Sequence, residues 1–307
     1  MMQNTSLAPP SASPMPADIA PLAGRRPSSL GRALTDAPAY FAMLVVAFVF
    51  LTPFVWMFAT SFKPTSDVFR YTAPLTWMTF IPPSPTVANY VSIFATWNFH
   101  RDLMNTLIAA GGQVIGACLT STLAAFVFAR VRFRGRDVLF AFTMLTAFVP
   151  FDVVVVPLYI VMRSLGLVSS YWALFLPFSF SPFGIFLMRQ SFLEIPRELD
   201  EAATIEGANL FQVFWHIILP NTKAALVTLA LIQFMWSWNS YLWPLVIMQD
   251  PNKQVVQVTI AKFRTVANYP MFGELFAAAS AATIPLLILF FLLQRYYVRG
   301  VLVSGMK

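Results

Sequence analysis

The chain has 307 residues, of which 58% are hydrophobic and 11% charged, with 20 lysines and arginines, 13 acids and a mean hydropathy of +0.68. A soluble domain carries about 25% charged residues, so a soluble globular fold is excluded and an all-α, polytopic membrane protein is expected. One cysteine, Cys118, rules out an internal disulfide; two histidines leave little for zinc; and a net charge of +7 reads as topology signals on loops rather than a nucleic-acid surface.

Residues 1–38 form a proline-rich stretch of Pro, Ser, Ala and Gly with no apolar run, read as a disordered cytoplasmic tail preceding a membrane domain over 39–307. Arg25-Arg26 is followed by Pro27 and polar residues. The first long apolar stretch exceeds a cleavable signal core, so neither a secretory nor a twin-arginine signal fits and the tail is expected to stay on the mature protein. Six stretches then have the roughly 20 apolar residues that cross about 30 Å of hydrocarbon. They run Tyr40 to Phe62, Leu103 to Ala129, Val138 to Met162, Tyr171 to Met188, Ala224 to Gln249 and Leu275 to Gln294. Prolines inside them (Pro53, Pro150, Pro157, Pro177, Pro182, Pro285) read as kinks, which spanning helices tolerate.

Basic residues set the orientation. With the N-terminus inside, 13 lysines and arginines fall on inner segments and 7 on outer ones, and the quartet Arg130, Arg132, Arg134 and Arg136 in one short loop dominates. Both termini are therefore expected in the cytoplasm. An outer loop, about Lys63 to Asp102, is rich in Pro and aromatics and suits a partly ordered cap.

The inner loop over about 194–220 is acidic and amphipathic. Pro196 gives a rigid start, and Arg197 to Glu206 is a run of helix formers with an apolar side at Leu199, Ala202, Ala203 and Ile205. Gly207 is free to take positive φ, so the chain turns into a second short helix that ends near Pro220. By itself such a knuckle equally fits an amphipathic helix lying on the bilayer. However, Glu201-Ala202-Ala203, three residues, Gly207, nine residues, Ile217, one residue, Leu219-Pro220 matches at every position the EAA loop of ABC-importer permeases. Ser61-Phe62-Lys63, Asn89-Tyr90, the run Ala125 to Arg130, Pro157-Leu158-Tyr159, Trp238-Asn239, Trp243-Pro244-Leu245 and the run Gln294 to Gly300 further resemble carbohydrate-importer permeases of the maltose and glycerol-phosphate type. The resemblance covers about residues 40–307 and is closer to the smaller, six-span subunit of the pair. Ser240 stands where that family often has an acid.

The resemblance implies the permease subunit of a binding-protein-dependent importer, in the inner membrane of a prokaryote, for a sugar or sugar derivative. It implies as partners a second, larger permease, two copies of an ATP-binding cassette ATPase and an extracytoplasmic solute-binding protein, besides membrane lipid. Glu201 would face the ATPase, Ala202 and Ala203 would keep the contact face small, Gly207 would form the bend, and Leu219 and Pro220 would complete the loop. No phosphate-cradling G-x-x-x-x-G-K-[ST] occurs, so ATP and magnesium belong to the partner ATPases and this chain is a conduit rather than an enzyme. The alternatives are an ABC permease for a polyamine or amino acid, which would share the EAA loop, and an ion-coupled secondary transporter, which would need repeats, discontinuous helices and several intramembrane ionisable residues.

For the solute path, Trp236, Trp238, Asn239 and Trp243 crowd the fifth stretch, with 236, 239 or 240, and 243 on one face of a continuous helix. Aromatic faces stack on sugar rings and an amide both donates and accepts, although an interfacial aromatic belt explains Trp243 as well. Asp152 is the one acid placed within a span, as a gate or solute residue or as a structural hydrogen-bonding group. Gly111, Gly112, Gly116, Ala117, Ser121 and Ala125 read as a close-packing stripe, and Asn105 and Gln113 as amides that bridge helices.

Overall fold

A computed structural model describes residues 29–70, 72, 74, 76–264 and 271–304, with side chains described within Ala37 to Gln294. Residues 1–28, and the side chains of Arg32, Arg295, Arg299 and Lys307 that enter the charge count, lie outside the described residues. The described residues contain helices and turns and no strand. By contacts the chain forms two units, 1–53 and 54–307.

Helix α1 runs Ser29–Ser61, so residues 29–38 are helical rather than tail, and the bulky apolar side chains from Tyr40 to Phe50 are exposed. In the second unit, short α2 (Ala88–Val91) and a π-helical turn lead to α3 (Phe99–Arg130), the 32-residue mast of the molecule. There follow α4 (Arg136–Leu145), α5 (Phe151–Ser164), α6 (Tyr171–Phe175) and α7 (Pro182–Leu193). Next come α8 (Glu198–Ile205), α9 (Leu210–Val213), α10 (Leu219–Asn221) and α11 (Lys223–Trp238). Helices α12 (Leu242–Ile247), α13 (Val256–Lys262) and α14 (Phe272–Ser304) complete the order.

Among the described residues, three helices are long and apolar enough to cross a membrane unaided: Ala37–Ser61, Phe99–Arg130 and Phe272–Gln294. Three further apolar stretches are bent pairs, at 101° between Phe148 and Phe151, 48° between Phe178 and Pro182, and 79° between Asn221 and Lys223. The proline reading is corrected at two positions. Pro53, Pro157 and Pro285 lie inside helices, but Pro150 caps α5 and Pro182 opens α7. A proline disfavours the α conformation at the residue before it and removes an N–H donor; Val149 and Ser181 are extended, so at these two sites the chain restarts instead of bending. The fifth stretch is also not one helix to Gln249: α11 stops at Trp238, and Asn239 back-bonds the Met235 carbonyl at 2.8 Å.

The core is built around α3, which packs on α6, α7, α11 and α13. One apolar cluster joins its end, at Ala125, Phe126 and Ala129, to Met188, Phe192, Phe214 and Ile218. A second holds Ala109 with Ala173, Trp243 and Ile247, and a third joins Phe99 and Phe263 to Ala277, Ala278 and Ala281 of α14. The small-residue stripe permits this. A Cβ on Gly112 would lie 2.5 Å from the Phe175 ring, and Cβ atoms on Gly116 and Gly184 would meet Ser179 and Ser121. Asn105 bridges as expected, donating to the carbonyls of Asn252 and Gln254 and accepting from the Tyr171 hydroxyl at 2.7 Å.

After α1 the chain is clasped. Asn89 donates to the carbonyls of both Ser61 and Lys63, and the fully buried Lys63 ammonium donates to the Thr79 carbonyl at 2.8 Å. Burial lowers the Lys63 pKa, against the pull of Asp67. The buried acid of the helical bundle is Asp102, not Asp152. Asp102 lies in the first turn of α3, 5% exposed, and accepts a 2.7 Å bond from the Thr259 hydroxyl.

Gly112→Val is expected to lower the detergent melting temperature by the equivalent of about 1–3 kcal/mol, because the new side chain strikes the Phe175 ring. Gly111→Ala, with nothing within 4 Å of its Cβ, is expected to raise it slightly; thermal unfolding followed by size-exclusion chromatography checks both.

Candidate functional site: an exposed knuckle and a cavity among broken helices

The loop after α7 folds as its residues dictate. Glu198, Asp200 and Glu201 occupy the first turn of α8, where acids suit the helix dipole. Gly207 then takes φ +93°, a left-handed conformation that side chains resist, and reverses the chain. Asn209 and Gln212 form a reciprocal capping box: the Asn209 side chain accepts from the Gln212 N–H at 2.9 Å, and the Gln212 side chain from the Asn209 N–H at 2.8 Å. Helix α9 continues through a π-helical turn, Phe214–Ile218, into α10.

One side of this knuckle is glued down. Val213, Phe214 and Ile218 are buried in the first core cluster, with Ala203, Ala208, Ile217 and Leu219 packed against it. Ala203 and Leu219 are partly buried and pack inward against this cluster from α8 and α10. The opposite side is open: Glu201, Ala202, Gly207 and Pro220 are exposed, beside Ile205 at 87%, Leu210 at 60% and Phe211 at 67%. Phe211 and Trp215 stack at 6.3 Å between centroids.

A polar lock, which sequence reasoning missed, holds the knuckle to the end of α3. The Arg130 guanidinium lies 3.0 Å from Asp200 Oδ2 and donates to the Ile195 carbonyl at 2.9 Å, and Arg197 donates to the Ala129 carbonyl at 3.4 Å. Burial pushes the Asp200 carboxyl up from its ordinary range despite the pull of Arg130 and Arg197, and Glu201 adds to the rise. A desolvated pair of this kind adds little net stability; it fixes position. Its two residues are 70 apart in sequence, with no local pattern to link them.

The second feature is a cavity of about 450 Å³. It opens where the chain breaks: Ala147 and Phe151 at the α4–α5 break, Phe178 to Phe183 at the α6–α7 break, and Trp236 and Ser240 at the end of α11. Gln113 of α3 and Gln233 of α11 reach it from behind. Gln113 donates to the Gln233 side-chain oxygen at 3.0 Å, Gln233 donates to Ser181 Oγ at 2.7 Å, and Ser181 caps α7 by accepting from the Gly184 N–H. Gln113 is thus the helix-bridging amide expected from sequence, and it also lines a cavity.

The path residues expected from sequence separate. Trp236 is 53% exposed, lines the cavity and packs on Phe183 at 5.7 Å. Trp238 is fully buried, stacked on Phe234, with its indole N–H on the Ala282 carbonyl, so in this conformation it is packing. Trp243, 1% exposed, is core as well, and the break at 239–241 removes the shared face of 236 and 243. Asn239 is exposed but spends its amide on Met235, outside the cavity lining. Asp152 is exposed in the first turn of α5, with no hydrogen-bond or ion-pair partner among the described residues. Among the described residues no cluster of histidine, cysteine and acid side chains is placed to hold a metal.

Comparison with known proteins adds to this geometry. The family described as "Binding-protein-dependent transport system inner membrane component" matches residues 117–303. The lactose transport system permease protein LacG of Rhizobium radiobacter is 31% identical over 280 residues, covering 90% of this chain and 98% of LacG. The arabinooligosaccharides transport system permease protein AraQ of Halalkalibacterium halodurans is 30% identical, covering 85% and 93%. The sn-glycerol-3-phosphate transport system permease protein UgpE of Yersinia pestis is 30% identical, covering 88% and 96%. A chain from the crystal structure of a bacterial ABC transporter that imports the acidic polysaccharide alginate shares the fold, with a TM-score of 0.73 and 24% identity over 88% of this chain and 98% of that one.

Asp200→Asn leaves Arg130, whose side chain is 4% exposed, without its counter-charge. The expected cost is about 2 kcal/mol, below the roughly 3–5 kcal/mol of a fully buried pair because Asp200 keeps 20% exposure. The double variant Arg130→Met, Asp200→Leu is expected to recover most of that loss, read as the melting temperature in detergent.

Proposed function

This chain belongs to the family of binding-protein-dependent transport system inner membrane components, and from that premise we propose its place in the importer. The chain is a membrane-spanning permease subunit of an ABC importer and not an enzyme. In the proposed assembly it is the smaller of two different permeases, with six spans made of the three continuous helices and the three bent pairs. The basic quartet Arg130 to Arg136 supports a cytoplasmic position for the α3–α4 loop, and with it for the knuckle and both termini. Lipid covers the exposed apolar belt.

The knuckle is the coupling element. Glu201, Ala202, Ile205 and Phe211 form an exposed acidic and apolar face, turned by Gly207, that docks on one of two ATPase subunits, while Ala203 and Leu219 anchor it and Pro220 opens α10. The observation that carries this reading is Gly207 at φ +93° within the Glu201-Ala202-Ala203 loop, with its large apolar side chains left open to a partner. ATP and magnesium sit in the ATPases. Their closure moves the knuckle as a rigid body, and the Arg130–Asp200 lock hands the motion to α3. A solute-binding protein delivers the solute from outside. Relatives that serve lactose, arabino-oligosaccharides and glycerol phosphate support a carbohydrate or carbohydrate derivative over a polyamine or amino acid. An ion-coupled carrier has no support from the family.

Purification of the tagged chain in mild detergent from its native host is expected to bring down an ATPase and a second permease, identified by mass spectrometry; recovery as a lone chain or homo-oligomer would overturn the assembly. Gly207→Val, which forces a β-branched residue into left-handed backbone, is expected to leave assembly intact while solute uptake falls at least about tenfold and ATP hydrolysis ceases to respond to the binding protein. Normal uptake would refute the coupling role.

A further inference from the structure

We propose that the cavity among the broken helices is this chain's contact site for the passing solute, and that it accepts an uncharged sugar ring rather than a phosphorylated or carboxylated one. The proposal rests on the carbohydrate-importer reading and narrows its substrate class. Two of the three bent-pair breaks, 148/151 and 178/182, and the end of α11 at Trp238 converge on one cavity. Non-helical backbone at membrane depth is tolerated where it lines a cavity. The volume of about 450 Å³ falls within the roughly 300–1,000 Å³ of small-molecule sites.

The lining chemistry then selects the cargo. Among the described residues, every side chain that lines the cavity is an amide, a hydroxyl, an aromatic ring, alanine or proline, and none carries a charge. Asp152 adjoins Phe151 in sequence but does not line the cavity. A phosphate or carboxylate entering would give up part of its hydration without meeting a cation on this lining. A neutral polyol meets what it needs. Gln233 commits its oxygen to Gln113 and one N–H to Ser181, so Gln113 keeps its carbonyl oxygen and one N–H free and Gln233 keeps one N–H. Ser240, half-buried at the break, adds a hydroxyl with no partner among the described residues. Trp236 supplies an exposed aromatic surface, with Phe183 tilted against it, for the C–H face of a pyranose or furanose ring. Ser181 and the Gln113–Gln233 pair are held by their own bonds, so the donors and acceptors stand in place before the solute arrives.

The test uses the whole importer with its binding protein in proteoliposomes, with lactose, maltose and an arabino-oligosaccharide as neutral probes and sn-glycerol 3-phosphate and an alginate trisaccharide as charged ones. Uptake of a neutral probe is expected. Trp236→Ala and Ser240→Ala are expected to raise its half-saturating concentration by about three- to tenfold each, and Trp236→Phe by less than about twofold. Trp236 is half exposed and the phenylalanine variant keeps a ring, so loss of fold is separated from loss of contact by comparing assembly of the three complexes. Neutral uptake that both alanine variants leave unchanged would overturn the site while the importer stands. Uptake of charged probes alone would overturn the neutral assignment and leave a carbohydrate importer. Uptake of none of the probes would overturn the carbohydrate reading and this site with it.

Discussion

The structure depends on how closely α3 approaches the broken segments beside it. Hydrocarbon offers helices no hydrophobic incentive to associate, so their contact must come from dispersion at short range and from buried hydrogen bonds. Gly112 and Gly116 let Phe175 and Ser179 of the α6–α7 stretch lie against the α3 backbone, and Gly184 does the same for Ser121 in the opposite direction. With that approach secured, Gln113, Gln233 and Ser181 fall within bonding distance across three elements. Larger residues on the stripe would part the helices and take the amide chain with them.

The same mast links the two functional regions. Arg130, at the last position of α3, holds the knuckle, while Gln113 on the same helix lines the cavity. Seventeen residues of α-helix separate them, about 26 Å at 1.5 Å per residue. A helix of that length transmits displacement better than it absorbs it, and the mast contains no proline. The aromatic contacts of Phe126 with Phe214, and the burial of Phe192 and Ile195, make the knuckle and the end of α3 one packed body. Cavity and knuckle therefore lie at two points along one helix.

Local features were legible in the sequence and long-range ones were not. Apolar runs located the helical stretches because length and hydropathy are properties of one segment. The turn at Gly207 and the two short helices around it were legible for the same reason. The end of α11 at Trp238 was not, since neither glycine nor proline marks 239–241 and the apolar run continues; the backbone breaks there against a local signal that favours continuation. Trp236 and Trp238 are equal as residue types, and only the packing of α14, through Ala282, decides that one is core and the other lines a cavity. Asp102 and Asp152 are separated similarly: Thr259, 157 residues away, makes burial of the first affordable. Residues 29–38 were read as tail from proline content, yet α1 absorbs Pro38.

The breaks that line the cavity also bear on how tightly it holds its cargo. Backbone and amide groups there face a space open to water, so a sugar entering does not replace emptiness; it replaces water molecules already suited to the same donors and acceptors. Each hydroxyl bond gained is then worth only the net exchange, about 0.5–1.5 kcal/mol, and one stacking ring adds about as much. A site built on such exchange binds weakly by construction. For a passage that must release its cargo on every cycle, shallow binding lets the next step remain downhill once the helices shift.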